Sequence, residues 1–306
     1  MIPSRKKLGD IGMFKGSMVA LVTPMHANGS VDKKSFHDLI EWHIASKTAA
    51  LIIAGTTGES ATLTTKEQLG LIQDAVHISG KRIPIIAGTG SNCTQHAIEL
   101  TELAEKNGAD AALIVTPYYN KPPQNGLFEH YKAIAEKTTL PIILYNVPGR
   151  TACDMLTETV VRLTKIPSII GIKEATGKVE RTIEILANAP KGFLVYSGDD
   201  AVNFDLMKNG ATGVISVTGN IVPRKMHDFC EAALSKDWTL AEKIHHALLP
   251  LHKGLFVEAN PIPVKWALYE MGKIEEGIRL PLVTLNRTFH AELRQILQND
   301  DALINS

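Results

Sequence analysis

The sequence predicts an α/β fold, a (β/α)8 TIM barrel with a C-terminal helical extension. Three observations predict it. Short apolar, β-branched runs alternate with amphipathic stretches over most of the chain. There are eight such runs, and most are apolar on both faces, as a parallel sheet covered by helices requires. After about residue 235 the strand-like runs stop and the remainder reads as helical.

The strand candidates are SMVALVT (17–23), AALIIAG (49–55), RIPIIAG (82–88) and AALIVTP (111–117), then LPIILYN (140–146), SIIGIKE (168–174), FLVYSG (193–198) and GVISVT (213–218). Between them, TTKEQLGLIQDAV places Leu69, Ile72 and Val76 on one helical face, and Thr64 with Glu67 fits a capping box. TQHAIELTELAEKNG carries Ile98, Leu100, Leu103 and Ala104, with Asn107-Gly108 as its stop. One junction recurs: KNGADAALIV (106–115) and KNGATGVISV (208–217) each read as helix end, glycine turn and apolar strand. Eight β-then-α units without a reversal signal point to a closed barrel. The structural alternative is a doubly wound open sheet. Its usual Gly-rich dinucleotide loop is missing, since GTGSNC (88–93) lacks the third glycine, and there is no G-K-[ST] loop. The expected organisation is an N-terminal extension over 1–12, a barrel over 13–235 and a helical region over 236–306. The last includes TLAEKIHHALLPLHKGL, PIPVKWALYEMG and LVTLNRTFHAELRQIL.

Composition narrows the partners. The 32 basic residues balance 32 acidic ones, so no charge excess points to nucleic acid or an anionic membrane. No apolar run approaches the ~20 residues that span a bilayer. The first twelve residues are charged and lack the apolar centre of a secretory signal. Cys93, Cys153 and Cys230 are odd in number and widely spaced, which suits reduced thiols in a cytoplasmic protein. His245 and His246 are adjacent, so a helix points them apart, and with His252 they make a poor ligand set. The expectation is no metal and no bound cofactor.

In a (β/α)8 barrel, functional residues come from the C-terminal ends of the strands and the loops after them. Those ends read GTTGES (55–60), GTGSN (88–92), TPYYN (116–120), YNVPGRT (145–151), IKEAT (172–176) and SGDD (197–200). Lys173 ends an apolar run. By alternation Ile170 and Ile172 share the helix-covered face, while Gly171 and Lys173 share the inner one, the glycine leaving the lysine space. Glu174 then points outward. Desolvation favours a neutral amine, which is a nucleophile suited to Schiff-base formation with a ketone. The bland alternative is a strand-end lysine that snorkels or pairs with Glu174. GTTGES offers backbone N–H groups and the hydroxyls of Thr56 and Thr57 ahead of a helix, which suits a small carboxylate, or it is simply a turn and cap. Tyr145 can relay protons and Arg150 can clamp a carboxylate; equally, they can be a core tyrosine and a surface arginine. Tyr118 and Tyr119 suit packing.

Taken together, GTTGES, TPYYN, YNVPGRT, GIKEAT and GVISVT, in this order, closely resemble the dihydrodipicolinate synthase family. The resemblance runs from about Met13 to the C-terminal helices and includes FVEANPIPVKWAL (256–268). It implies a homotetrameric, cytoplasmic lyase of lysine biosynthesis that condenses pyruvate with L-aspartate-4-semialdehyde. By motif, Lys173 would form the imine with pyruvate and Tyr145 would be the general acid/base. Thr56 would link Tyr145 to Tyr119, which the family takes from a neighbouring subunit. Thr57 and the backbone at Ile215 would hold the pyruvate carboxylate, Gly198 would line the pocket, and Arg150 would bind the second substrate's carboxylate. Neither metal nor organic cofactor has a part in that chemistry.

Two other functions stay open. One is a related imine-forming aldolase or dehydratase for N-acetylneuraminate or a 2-keto-3-deoxy sugar acid. Arg150 argues against it, because it suits a short amino-acid carboxylate. The other is a barrel that only binds a keto acid, which the complete set of Lys173, Tyr145, Thr56 and Tyr119 disfavours. One departure from the family concerns feedback by lysine. Ser60, Ala61, Asn92 and Tyr118 match the inhibitory site, but two family histidine positions are Thr65 and Gln68, and His96 replaces the acidic residue that meets the lysine ammonium. Weak or absent inhibition is expected.

Overall fold

Eight strands, β1 (Gly16–Ala20), β2 (Ala50–Ile53), β3 (Ile85–Gly88), β4 (Ala111–Val115), β5 (Ile142–Asn146), β6 (Ile169–Glu174), β7 (Leu194–Ser197) and β8 (Gly213–Ser216), close in chain order into one parallel barrel. β8 pairs back onto β1, with Met18 beside Ile215. The computed structural model describes residues 14–300 and 302–303. The expected extension over 1–12, with Met13, lies outside the described residues.

Helices cover the barrel: α1 (Lys33–Ala45), α2 (Thr65–Ser79), α3 (Thr94–Lys106), α4 (Gln124–Ala135), the single turn α5 (Pro148–Thr151), α6 (Thr157–Leu163), α7 (Val179–Asn188), α8 (Asn203–Lys208) and α9 (Pro223–Leu234). Beyond them lie α10 (Trp238–Gly254), α11 (Ile262–Glu270) and α12 (His290–Asn299). Each strand feeds two apolar clusters. Met18, Ile52, Ile86, Leu113, Ile143 and Tyr196 pack inside the barrel. Val19, Leu51, Ile85, Ile114, Leu144 and Val195 pack outside, under the helices. Burying an aliphatic side chain of this size contributes about 1.5–3 kcal/mol, so sealing both faces is what selects the closed parallel sheet.

The helix signals hold locally. Thr64 accepts from the Glu67 amide and the Glu67 carboxylate accepts from the Thr64 amide, which makes the capping box at α2. Gly108 and Gly210, the glycines of the repeated junction, have φ of +86° and +105°, a region open to glycine at no steric cost.

Four local expectations need correction. The buried face of α2 is Gln68, Leu71, Ile72 and Ala75; Leu69 and Val76 sit at its border. Residues 281–286 carry no helix, so only the second half of LVTLNRTFHAELRQIL is helical. Ile170 belongs to the inner cluster, while Ile172 belongs to the outer one. The reason is an extra residue in β6: Ile142 pairs with Ile169, but Ile143 pairs with Gly171. Such a bulge breaks simple alternation. Finally, a Cβ on Gly171 would meet the Leu194 carbonyl at 2.6 Å, so this glycine serves the approach of β7 rather than making space for Lys173.

Candidate active site

Lys173 stands opposite Tyr145 across β5 and β6, and opposite Tyr196 across β6 and β7. Its side chain is buried inside the C-terminal end of the barrel, with Nζ 4.5 Å from the centre of the Tyr145 ring. That places the phenol of Tyr145 as the immediate neighbour of the amine. Space for the lysine chain comes from Gly198, at the end of β7. A Cβ there would lie 2.9 Å from Lys173 Cε and 2.7 Å from Ala175 Cβ. The Gly198 amide is anchored to the Glu174 carbonyl at 2.8 Å, which keeps that backbone in place.

Glu174 faces outward and is buried. Burial pushes its carboxyl up, and hydrogen bonds from Thr176 and Asn146 oppose that shift. It packs behind the barrel and does not meet Lys173.

The loop after β2 carries Thr56, partly buried, and Thr57, buried. Two non-glycine residues in this segment, Ala54 and Glu59, have left-handed φ of 54° and 59°. Such conformations cost about 1–3 kcal/mol each and persist only where surrounding contacts dictate them. Those contacts are visible. Thr23 Oγ1 donates to the Gly58 carbonyl at 2.7 Å, and Asn260 Nδ2 donates to Thr57 Oγ1 at 2.9 Å. Lys265 Nζ donates to the buried Glu59 carboxylate. The expected role of a helix N-terminus here needs revision. Helix α2 starts only at Thr65, and Thr64 caps it. The Glu59 and Ser60 amides bond the Thr56 and Gly55 carbonyls, so these two donors are taken up by the turn itself.

Arg150 lies on α5 and is exposed, and its Nη2 donates to the Asn260 carbonyl at 3.2 Å. Asn260 therefore touches both Thr57 and Arg150. Ile215 is buried inside β8, and the chain just beyond it is held by Asp200, whose Oδ2 accepts from the Val217 and Thr218 amides, each at 2.9 Å. Tyr119 stands apart: it is 88% exposed with φ of 73°. The barrel thus gathers Lys173, Tyr145, Gly198 and the Thr56–Thr57 loop at one end, and leaves Tyr119 projecting from the surface.

Sequence reasoning missed Asn260, Glu59, Lys265 and Asp200. A signal existed for Lys265. It interrupts the apolar run IPVKWAL, in the same manner as Lys173 interrupts its strand, and every residue from Ile262 to Leu268 is buried. Among the described residues one group has metal-ligand spacing, His26, Asp32 and Glu275. His26 Nδ1 already lies 3.0 Å from Glu275 Oε1, and both Asp32 oxygens accept from Ser35. His245 is buried beside His252, with ring centres 5.5 Å apart, while His246 is exposed.

A closed parallel barrel with one buried amine beside a phenol at the C-terminal end of its strands is the build of an imine-forming, aldolase-type enzyme. A sequence model of the dihydrodipicolinate synthetase family matches residues 13–300, and the chain belongs to this family. The 4-hydroxy-tetrahydrodipicolinate synthase of Pseudomonas aeruginosa is 55% identical over 291 residues, covering 95% of this chain and all of that one. The enzyme of the same name from Acidithiobacillus ferrooxidans is 56% identical over 286 residues, covering 94% and 98%. Among solved structures, the chloride-inhibited dihydrodipicolinate synthase of Acinetobacter baumannii, complexed with pyruvate, superposes with a TM-score of 0.92 at 52% identity, covering 93% of this chain and 98% of that one. The synthase of Thermotoga maritima gives 0.93 at 42% identity, covering 95% and 100%.

Proposed function

We propose that the chain is a lyase that condenses pyruvate with L-aspartate-4-semialdehyde to 4-hydroxy-tetrahydrodipicolinate, the entry step of the diaminopimelate route to lysine. The observation that carries this is the buried Lys173 amine beside Tyr145, in a chain 55% identical to synthases of that name.

The chemistry assigns each residue a task. The Lys173 amine adds to the pyruvate ketone and water leaves, forming an imine. Its protonated form draws electrons from the methyl group, and loss of a methyl proton gives an enamine. Tyr145 moves the protons at this carbon, with Thr56 and Tyr119 as its relay. Thr57 and the backbone at Ile215 hold the pyruvate carboxylate, and Gly198 lines the pocket. The enamine carbon attacks the aldehyde of the second substrate, whose carboxylate meets the Arg150 fork. That substrate's own amine then displaces Lys173 and closes the ring.

Tyr119 supports self-association. An exposed tyrosine on strained backbone suits insertion into a second copy, and a homotetramer built as a dimer of dimers supplies that arrangement. We assign residues 13–235 to the catalytic barrel and 236–306 to its helical region. Among the described residues no helix is long and apolar enough to cross a membrane, and we place the enzyme in the cytoplasm.

Borohydride reduction in the presence of pyruvate, followed by mass spectrometry, tests the mechanism. The expected adduct is on Lys173. An adduct elsewhere, or none, overturns it. Comparing turnover of aspartate semialdehyde with that of sugar acids separates this reading from the related aldolases.

A further inference from the structure

We infer that Asn146 and Glu174, with Asp154 and Arg181 behind them, form a lock on the outer face of the barrel that fixes the register of β5 against β6, and so places Lys173 opposite Tyr145. This rests on the imine mechanism above and adds positioning residues to it.

The need for a lock follows from the bulge. Upstream, Ile142 pairs with Ile169; after the extra residue, Ile143 pairs with Gly171 and Tyr145 with Lys173. Without the extra residue the ladder would continue by pairing Tyr145 with Ile172 and Asn146 with Lys173. A one-residue slip turns every side chain to the opposite face. Lys173 would then leave the barrel interior, and its neighbours Ile172 and Glu174 would turn inward. The bulge leaves one β6 residue out of the ladder, so backbone pairing alone does not favour the observed register and side chains must.

The outer face makes that choice. Asn146 and Glu174, the residues after Tyr145 and Lys173, are paired with each other in the observed register. Asn146 Nδ2 donates to Glu174 Oε2 at 3.2 Å and to Asp154 Oδ1 at 2.9 Å, and its Oδ1 accepts from the Met155 amide at 3.0 Å. Glu174 Oε1 accepts from the Thr176 amide at 2.8 Å. Arg181 on α7 grips both Asp154 oxygens at 3.1 and 3.0 Å, and the Met155 carbonyl at 3.0 Å. Asn146 is fully buried and Glu174 is 1% exposed, so a slip would part Asn146 from Glu174 and take the Glu174 carboxylate away from its partners, while Asn146 stays held by Asp154 and the Met155 amide. Leaving a buried polar group unsatisfied costs about 1–3 kcal/mol, more for a charged one.

The test is the variant N146L/E174L, which removes the bond between the two strands and, since the Met155 and Thr176 amides each lose a partner, also costs some stability. Imine formation with pyruvate is trapped by borohydride and located by mass spectrometry, at a temperature where circular dichroism shows the folded state. The expected result is a folded protein of lower melting temperature in which trapping at Lys173 falls by at least about 100-fold, the loss that a 1 Å misplacement already brings. A folded variant that traps at the wild-type rate overturns the lock. Should the double variant not fold, Arg181→Met loosens Asp154 from the outside; slower trapping in the folded protein supports the lock, and an unchanged rate overturns it. The wild type serves as the control for the mechanism itself, since absence of its adduct removes the imine and not the lock. A crystal structure of the double variant reads the register directly. Tyr145 still squarely opposite an ordered Lys173 overturns the lock whatever the imine does.

Discussion

Lys265 on α11 and Glu59 in the loop after β2 form an ion pair with side chains 5% and 0% exposed. Burial pushes the Lys265 ammonium down from its ordinary value, and the adjacent carboxylate opposes that shift. The Arg279 amide approaches the second Glu59 oxygen at 3.4 Å, and the Arg279 guanidinium pairs with Glu67. Removing one partner of a buried pair strands the other charge, at a cost of about 3–5 kcal/mol, whereas removing both can be nearly neutral. We predict that Lys265→Met lowers the urea midpoint by that scale of stability. The double variant E59Q/K265M recovers most of it. Equal losses in the two variants would refute the pairing as the cause.

Gly198→Ala tests the space around the amine. The added methyl would overlap the Lys173 side chain and Ala175. Expected is a fall in kcat of about 100-fold, since displacement by about 1 Å has that effect. Denaturation measured alongside should show a loss of only about 1–3 kcal/mol, the usual cost of overpacking. A variant with unchanged kcat would show that Gly198 does not set the position of Lys173.

Free lysine should leave turnover nearly unaffected. Gln68 is buried, and its amide donates to the Gly88 carbonyl at 2.6 Å, so it is committed to the fold. Thr65 is exposed at the start of α2 and, unlike a histidine there, offers no imidazole. His96, in the first turn of α3, is 3.9 Å from Glu99 and brings no negative charge of its own. Initial-rate assays with added lysine measure this directly, and micromolar inhibition would contradict it.

Acid should destabilise the fold before it protonates most carboxylates. Burial lowers His43 from 6.5 to about 3, and lowers His130 and His245 to about 4. These imidazoles are neutral when folded and take up protons when unfolded. The unfolded state therefore binds more protons below pH 6.5, so stability rises with pH there and is lost as pH falls from about 6.5 toward 4. By this linkage His43 alone contributes about 2 kcal/mol of loss at pH 5. Urea midpoints at pH 7, 6 and 5 should decline in that order, and His43→Leu should make the decline shallower by close to one proton. A flat profile in the parent protein would exclude the effect.

The strands were legible because parallel strands buried on both faces leave continuous apolar runs, and each of the eight runs overlaps one, β1 alone starting a residue earlier, at Gly16. Their ends were less so. The polar tails such as Thr23 and Thr116 belong to loops, which periodicity does not separate from strand. Lys173 was legible as an anomaly of charge, and the two-residue period placed it inside. The same period misplaced Ile170, because a bulge is decided by how two strands meet and leaves no mark in either alone. Asn260, Glu59 and Lys265 escaped for a related reason. Their meaning lies in contacts across some two hundred residues, 203 between Asn260 and Thr57 and 206 between Lys265 and Glu59.

That separation has a bearing on how the protein is made. The loop holding Thr57 emerges from the ribosome long before the residues that hold it in shape. At roughly 5–20 residues per second, Asn260 and Lys265 follow about 10–40 s later. Until then the left-handed turn at Glu59 has no counter-ion and the Thr57 hydroxyl has no Asn260 amide to bond. The nascent chain can build its sheet before this loop is held in shape, and the loop settles only with the last quarter of the polypeptide.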